Sequence, residues 1–489
     1  MNHDDFENLG YIEFNGAPYT YYFNREEFRL TLIPKGAEEQ KGLYFKMFES
    51  LGKAPDRDEW IKSNIVMGDP LGKNSGIVFS LLDNPSTYNG IAQYPVNWYL
   101  ELPDGADIEK IDGIEVIGGD VNRFYSPNHA LERELTTDAY TVKTSRQDDA
   151  ACGTFELDSG IICTASVSAY GSMNFQSFET PIYATSRLKL EFSSPVSLKE
   201  VVELYQNGIL SLFMFLNYRG NISFDKVRLI WRTPMEGHPN YLSSGEIHFP
   251  PRDLPPDDKK KQEKTIKFEI IGDKTANLIS YFHQGKASLE YITESAIKRS
   301  SYPPSRMIAI CTEFEREFRN VYGTDALRHE EYKQAKEEVA GWLTERADAE
   351  SGKKRQYLKS FARSISNLDD SYGQRVKHVI EDNEEIIMPF IDATFTGGLS
   401  DMKDGIPDRL NDLRNGFMHS RLDLELEPVN ISDINILEIL IYVIVLRQFI
   451  EPDMVMRAVN ELFGYHVKIA IGSKDQSGAD SNNKEKENK

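Results

Sequence analysis

Pro250-Pro251-Arg252-Asp253-Leu254-Pro255-Pro256-Asp257-Asp258-Lys259-Lys260-Lys261 separates two kinds of sequence. Prolines lack a backbone donor and have a fixed φ, so this proline-rich, charged stretch reads as a linker or exposed loop. Before it lie short runs rich in β-branched and aromatic residues, divided by Gly, Pro, Asn and Asp clusters. From about residue 274 apolar residues recur every three or four positions, the period of a helix. The expected fold class is multidomain α+β, with a β-rich N-terminal domain followed by an all-α helical bundle. The expected boundaries are 1–250 for the first domain, 251–270 for the linker and 271–471 for the helical domain. The polar tail, 472–489, is expected to be disordered.

Strands are expected at 11–14, 19–23, 29–33, 76–80, 98–102, 113–117, 154–157, 161–165, 188–192 and 227–231. Ser197 with Glu200 three positions later has the form of a capping box, which predicts a helix over 197–205. A second helix is expected over 208–216. This pattern suggests a sandwich-like or α+β domain. Beyond the linker, helices are expected over 306–322, 330–346, 352–367, 373–390, 405–421, 432–450 and 452–463. Ser432 is the expected N-cap of the penultimate helix, and Pro452 separates the last two.

The chain has 489 residues, 40% of them hydrophobic, and a net charge of −21. That length suits two or three domains. The acidity argues against a protein that coats nucleic acid generally, but leaves room for a local basic groove. Cys152, Cys163 and Cys311 form no C-x-x-C pair, so neither a disulfide framework nor a structural zinc site is expected. The first ten residues are acidic and polar, unlike a signal peptide. The longest apolar run, 434–446, is short for a membrane span and reads as a buried core helix. The expectation is a cytoplasmic chain with no membrane partner.

Arg414-Asn415-Gly416-Phe417-Met418-His419 carries the most suggestive chemistry. A guanidinium can grip phosphate oxygens and stabilise charge that builds in a transition state. An imidazole can act as general acid or base near neutral pH. Asn415 and His419 are four apart and share a helix face, while Arg414 and His419 are about 140° apart. Such a set could cut RNA, because the 2′-hydroxyl can itself be the nucleophile and no metal or other cofactor is needed. The spacing alone fits equally an exposed arginine beside a capping or core histidine.

The segment resembles the signature of the HEPN family, in which an arginine and a polar residue precede a histidine. The flanks fit too, with Arg409-Leu410-Asn411-Asp412-Leu413 before it and the apolar 434–446 run after it. The whole chain, over about 15–465, resembles the ApeA group of bacterial anti-phage proteins, which join a β-rich N-terminal domain to a HEPN domain. The 188–231 stretch has the look of that N-terminal domain. Many relatives carry Gly after the histidine, where this chain has Ser420. The resemblance implies a metal-independent endoribonuclease with catalytic residues Arg414, His419 and Asn415. Its implied role is abortive infection: cleavage of host RNA, tRNA included, after phage sensing. It also implies a homodimer formed through the HEPN domain and a phage protein as trigger at the N-terminal domain. The alternative is a non-catalytic HEPN module that binds RNA or protein.

Lys354, Arg355, Lys359 and Arg363 are a second candidate. Positions 355, 359 and 363 stack on one helix face and could guide an RNA backbone, although a solvated helix face explains them as well. Lys259–Lys261 carry the same ambiguity. Glu313 and Glu315 lie on an early helix, and the HEPN resemblance implies that an acidic residue there can lie near the motif; the expectation is nevertheless exposed carboxylates paired with Arg316 or Arg319. His378 follows Lys377 on a helical segment and could line the cleft, but is expected at the surface. Gly68 to Asn74 departs from a P-loop in spacing and lacks the Ser/Thr that would hold magnesium. Trp60, Trp98, Trp231 and Trp342 are expected in core packing.

Overall fold

The structure, a computed structural model, describes residues 8–36, 64–71, 75–83, 85–88, 91–135, 140–144, 148–173, 182–235, 238–251, 264–323, 330–366, 370–418 and 426–468. The chain divides into two compact units. The first takes in the described residues to 251 together with 272–285 and 294–296. The second takes in 264–271, 286–293 and 297–468. Most of the expected linker, Lys259–Lys261 included, lies outside the described residues, as do Trp60, 72–74, His419 and the tail.

The first unit is built on a closed antiparallel barrel. Its strands are β1 (Leu9–Phe14), β2 (Ala17–Asn24), β3 (Arg29–Pro34), β4 (Asn64–Pro70), β5 (Ile77–Leu81) and, after a short β6 (Ser86–Tyr88), β7 (Ile91–Glu101). The order β7-β3-β2-β1-β4-β5 closes because β5 also pairs with β7. Asn15 and Gly16 both have positive φ, as the tight β1–β2 hairpin requires. Alternate residues point inward, and Phe14, Tyr19, Tyr21, Phe23, Phe79, Tyr94 and Tyr99 fill the interior. A Cβ at Gly10 or Gly68 would lie 2.5 or 2.7 Å from the Tyr21 ring, so two missing side chains make room for one large one. Strand spacing fits a sandwich as well as a barrel. The ring also depends on pairings between segments far apart in sequence, Arg29 with Pro95 and Tyr11 with Asp69.

The C-terminal end of β7, Tyr99 to Glu101, also pairs with β15 (His238–His248), and from there an open antiparallel sheet continues. This contains β8 (Ile111–Ile117), β11 (Ala150–Glu156), β12 (Ile162–Met173), β13 (Ile182–Val196), β14 (Lys226–Met235) and β15, in the order β11-β12-β13-β8-β14-β15-β7. β9 (Leu131–Leu135) and β10 (Tyr140–Thr144) form a separate hairpin. The Ser197–Glu200 capping box forms as expected and starts α1 (Leu198–Glu203). A π-helical turn, Leu204–Ile209, carries it into α2 (Leu210–Asn217). Beyond the expected linker, α3 (Thr275–His283) packs on β11 in this same unit.

The second unit is helical: α4 (Pro304–Tyr322), α5 (Glu330–Asp348), α6 (Gly352–Ser366), α7 (Tyr372–Asp382), α8 (Glu384–Thr394), α9 (Ile406–Met418), α10 (Pro428–Arg447) and α11 (Pro452–Phe463). The expected 373–390 helix is two helices. Asn383 breaks it, and its amide bonds back to the Val379 carbonyl while Glu384 and Glu385 open the next first turn. α10 begins before Ser432: Glu427 is its N-cap, Asn430 completes the capping box, and Pro428 occupies the first turn, where its missing N–H is harmless. Among the described helices α10 is long and apolar enough to cross a membrane by composition, and it is mostly buried inside the protein. Its buried Glu438 takes a 2.6 Å bond from Arg306, which also donates to the Tyr291, Arg299 and Ser301 carbonyls. A buried charge pair held this way leaves little desolvation uncompensated.

Candidate functional site

α9 presents Leu410, Leu413 and Phe417, at steps of three and four, to the interior of the helical unit. It packs on α4, α7 and α10. Arg409 ties it to α10 by two 2.7 Å bonds to the buried carboxylate of Asp433. Gly373 allows α7 to come close: a Cβ there would lie 2.8 Å from the Pro407 carbonyl oxygen. The helix that carries the motif is therefore fixed on several sides.

Arg414 and Asn415 are half-buried on this fixed helix. Arg414 Nη2 lies 3.1 Å from Glu315 Oε1 on α4, and its Nη1 donates to Asn415 Oδ1 at 3.3 Å. Cys311, one turn before Glu315 on α4, is buried, and burial pushes its thiol up to about 11. Tyr372 at the start of α7 is buried too, which carries its hydroxyl well above the usual phenol range. Both feel the charges of Glu315 and Arg414. The guanidinium is thus oriented by a carboxylate and an amide beside neutral buried groups. With five N–H donors, it has capacity for an anion's oxygens as well. His419 follows the last described turn of α9 and lies outside the described residues.

The two acidic candidates differ from the surface pairs expected of them. Glu315 is half-buried; its 4.0 Å approach to Arg319 is longer than its contact with Arg414. Glu313 is buried, accepts the Ser288 N–H at 2.8 Å, and stands 3.8 Å from Arg316. Burial lifts its carboxyl to about 8, and neighbouring Glu317 adds to the rise. His378 is half-buried against the rings of Phe318 and Tyr322. The resemblance put an acidic residue of this helix near the motif as an alternative, but spacing alone could not pair Glu315 with Arg414.

The basic candidates share α6 but carry acidic partners. Lys354 lies 2.7 Å from Glu350, and Asp348 takes Arg355 at 3.3 Å and Lys359 at 3.5 Å. Arg363 is exposed. Trp98 and Trp231 are core residues as expected, but Trp342 is not: it is 63% exposed on α5. Among the described residues no three His, Cys, Asp or Glu side chains are grouped to hold a metal. No family model, curated protein or solved structure matches the chain.

Proposed function

We propose that this chain is a metal-independent endoribonuclease whose site is built on Arg414, Asn415 and His419. The observation that carries the reading is the placement of Arg414. It is held by Glu315 and Asn415 on a helix braced from three neighbours, five residues before a histidine in the sequence. In the proposed reaction His419 takes the proton from a ribose 2′-hydroxyl, and the 2′-oxygen attacks the adjacent phosphorus. Arg414 offsets the charge that builds on the phosphoryl oxygens. The 5′-oxygen leaves with a proton, giving a 2′,3′-cyclic phosphate and a 5′-hydroxyl. A second copy would supply a second histidine, so that one imidazole acts as base and the other as acid. The resemblance to ApeA-like HEPN proteins supports host RNA, tRNA among it, as substrate and phage sensing by the β-rich unit as trigger.

One observation favours a second reading, a HEPN module that binds RNA or protein without cutting it. Glu315 already neutralises Arg414, and a phosphate must compete with that carboxylate. Purified full-length protein incubated with total RNA in the presence of EDTA separates the two. The ribonuclease reading predicts cleavage that His419→Ala lowers by about 10²–10⁴ with the helical content unchanged. Intact RNA, or cleavage indifferent to His419→Ala, supports the binding module instead.

A further inference from the structure

A cleft of about 670 Å³ opens in the β-rich unit, within the size range of small-molecule sites. Its walls are rich in aromatic rings. His248, the last residue of β15, lies against Tyr99 of β7, with ring centres 4.5 Å apart and planes 13° from parallel. Phe249, the next residue, stacks in the same way on Tyr205, at 4.5 Å and 15°. Phe224 meets Tyr205 edge-on at 6.2 Å. All five rings line the cleft, and Tyr99 and Tyr205 are buried. Flat faces of this kind accept a further planar ring, because stacked aromatic groups attract beyond the area they bury.

The cleft is held in shape before any ligand arrives. Asp120 and Arg219 are buried and paired. Asp120 Oδ2 accepts the Ser223 N–H at 2.9 Å, and the Asp120 N–H donates to the Ser223 carbonyl at 2.9 Å. These bonds pin the 221–225 loop, which forms one wall. Tyr205 and Gln206 come from the π-helical turn, Leu204–Ile209, a wide turn that recurs at functional sites. His248 Nε2 is buried with no hydrogen-bond partner among the described residues. Burial holds its imidazole below the usual histidine range, so near pH 7 the ring is neutral, with one nitrogen a donor and the other an acceptor. A ligand edge that bonds to Nε2 recovers the cost of leaving it unpaired. Asn97 and Gln206 add amides to the lining, each offering a donor beside an acceptor, the pattern of a base edge. The charged lining residues are Asp225, Lys226 and Glu246, with Lys226 Nζ 3.2 Å from Glu246 Oε2. The negative balance disfavours phosphates, whether on a free nucleotide or along an RNA strand. We propose that this cleft binds a nucleoside without phosphate. Its base extends one of the ring stacks, and its polar edge meets His248 Nε2 and the amides of Asn97 and Gln206. The proposal does not rest on the ribonuclease reading.

The test is equilibrium dialysis of the full-length chain against adenosine, guanosine, cytidine and uridine, each alone, and against their 5′-triphosphates. At least one nucleoside is expected to bind once per chain with a dissociation constant below about 100 µM. Its triphosphate should bind about tenfold more weakly. His248→Phe keeps a ring on Tyr99 but removes Nε2, and should weaken nucleoside binding about tenfold. Phe249→Ala removes one stacking face and should weaken it by about tenfold or more. Gln206→Ala, at an exposed position, should weaken it about threefold and reads out even if a ring variant misfolds. His419→Ala should bind the nucleoside as wild type does, which separates this cleft from the proposed ribonuclease site. Absence of binding by all four nucleosides at about 1 mM overturns the proposal. So does an affinity indifferent to every cleft variant, an affinity lost with His419→Ala, or a triphosphate that binds as tightly as its nucleoside.

Discussion

Arg414 is an arginine set in place by its own protein. Its contact with Glu315 both aims the guanidinium and puts a negative charge where a phosphate would approach. Glu315→Gln keeps the shape but removes the charge, and the two roles then separate. Less repulsion should tighten RNA binding by about fivefold, an effect on the scale of ~1 kcal/mol. Looser aim should lower the cleavage rate constant by about tenfold. Binding and single-turnover kinetics on the same RNA check this; a parallel change in both would mean that Glu315 serves the fold alone. Glu313 yields a separate prediction. Its folded-state carboxyl is lifted to about 8 from 4.5, so the folded chain holds a proton that the unfolded chain releases in that interval. The stability gained this way is complete below pH 4.5 and is lost as the pH rises through about 8. Glu313→Gln retains an acceptor for the Ser288 N–H without titrating. Thermal melts should find it level with wild type near pH 5 and more stable by on the order of 1–3 kcal/mol near pH 8.

Elements position these residues, and the closest approach of α7 and α9 is the most exposed to test. Glycine-to-alanine within a helix ordinarily stabilises by about 0.5–1 kcal/mol. At Gly373 the new methyl would meet the Pro407 carbonyl oxygen at 2.8 Å and Asn411 Cβ at 3.3 Å. Gly373→Ala should therefore destabilise by about 1–3 kcal/mol, the range for an overpacked contact. Denaturant titration gives the sign directly. Much at this scale was legible in the sequence. The Ser197–Glu200 box, the helices after residue 304 and most of the strands follow from local signals of caps, period and turn residues. The break at Asn383 was not, because Asn is tolerated inside helices and Pro389 comes too late to mark it. Nor was the start of α10, where Pro428 and Glu427 outweigh the more familiar Ser432 signal. The exposure of Trp342 could not be read because an apolar helix stripe looks the same whether its partner lies in the same chain or elsewhere.

At the scale of the whole chain, the two-part organisation was readable from one proline-rich stretch, but the barrel was not. The ring depends on β3 meeting β7, on β1 meeting β4 and on Gly10 and Gly68 making room for Tyr21, relations that no local pattern announces. The path between the units is also less simple than a single linker. Residues 264–271 belong to the helical unit, 272–285 to the β-rich unit and 286–293 to the helical unit again. A truncated chain starting near 270 would lose part of one unit and strand part of the other. Function is thus better tested in the full-length protein. The candidate site was legible as chemistry, in Arg414, Asn415 and His419, and not as geometry, since its fixing partners come from α4, α7 and α10. The most direct measurement is sequencing of RNA ends after controlled expression of wild type, Arg414→Ala and His419→Ala. New 2′,3′-cyclic phosphate ends at defined positions, present with wild type and absent with both variants, are the predicted result. Identical ends from all three chains, or no new ends from wild type while it binds RNA, would contradict the account.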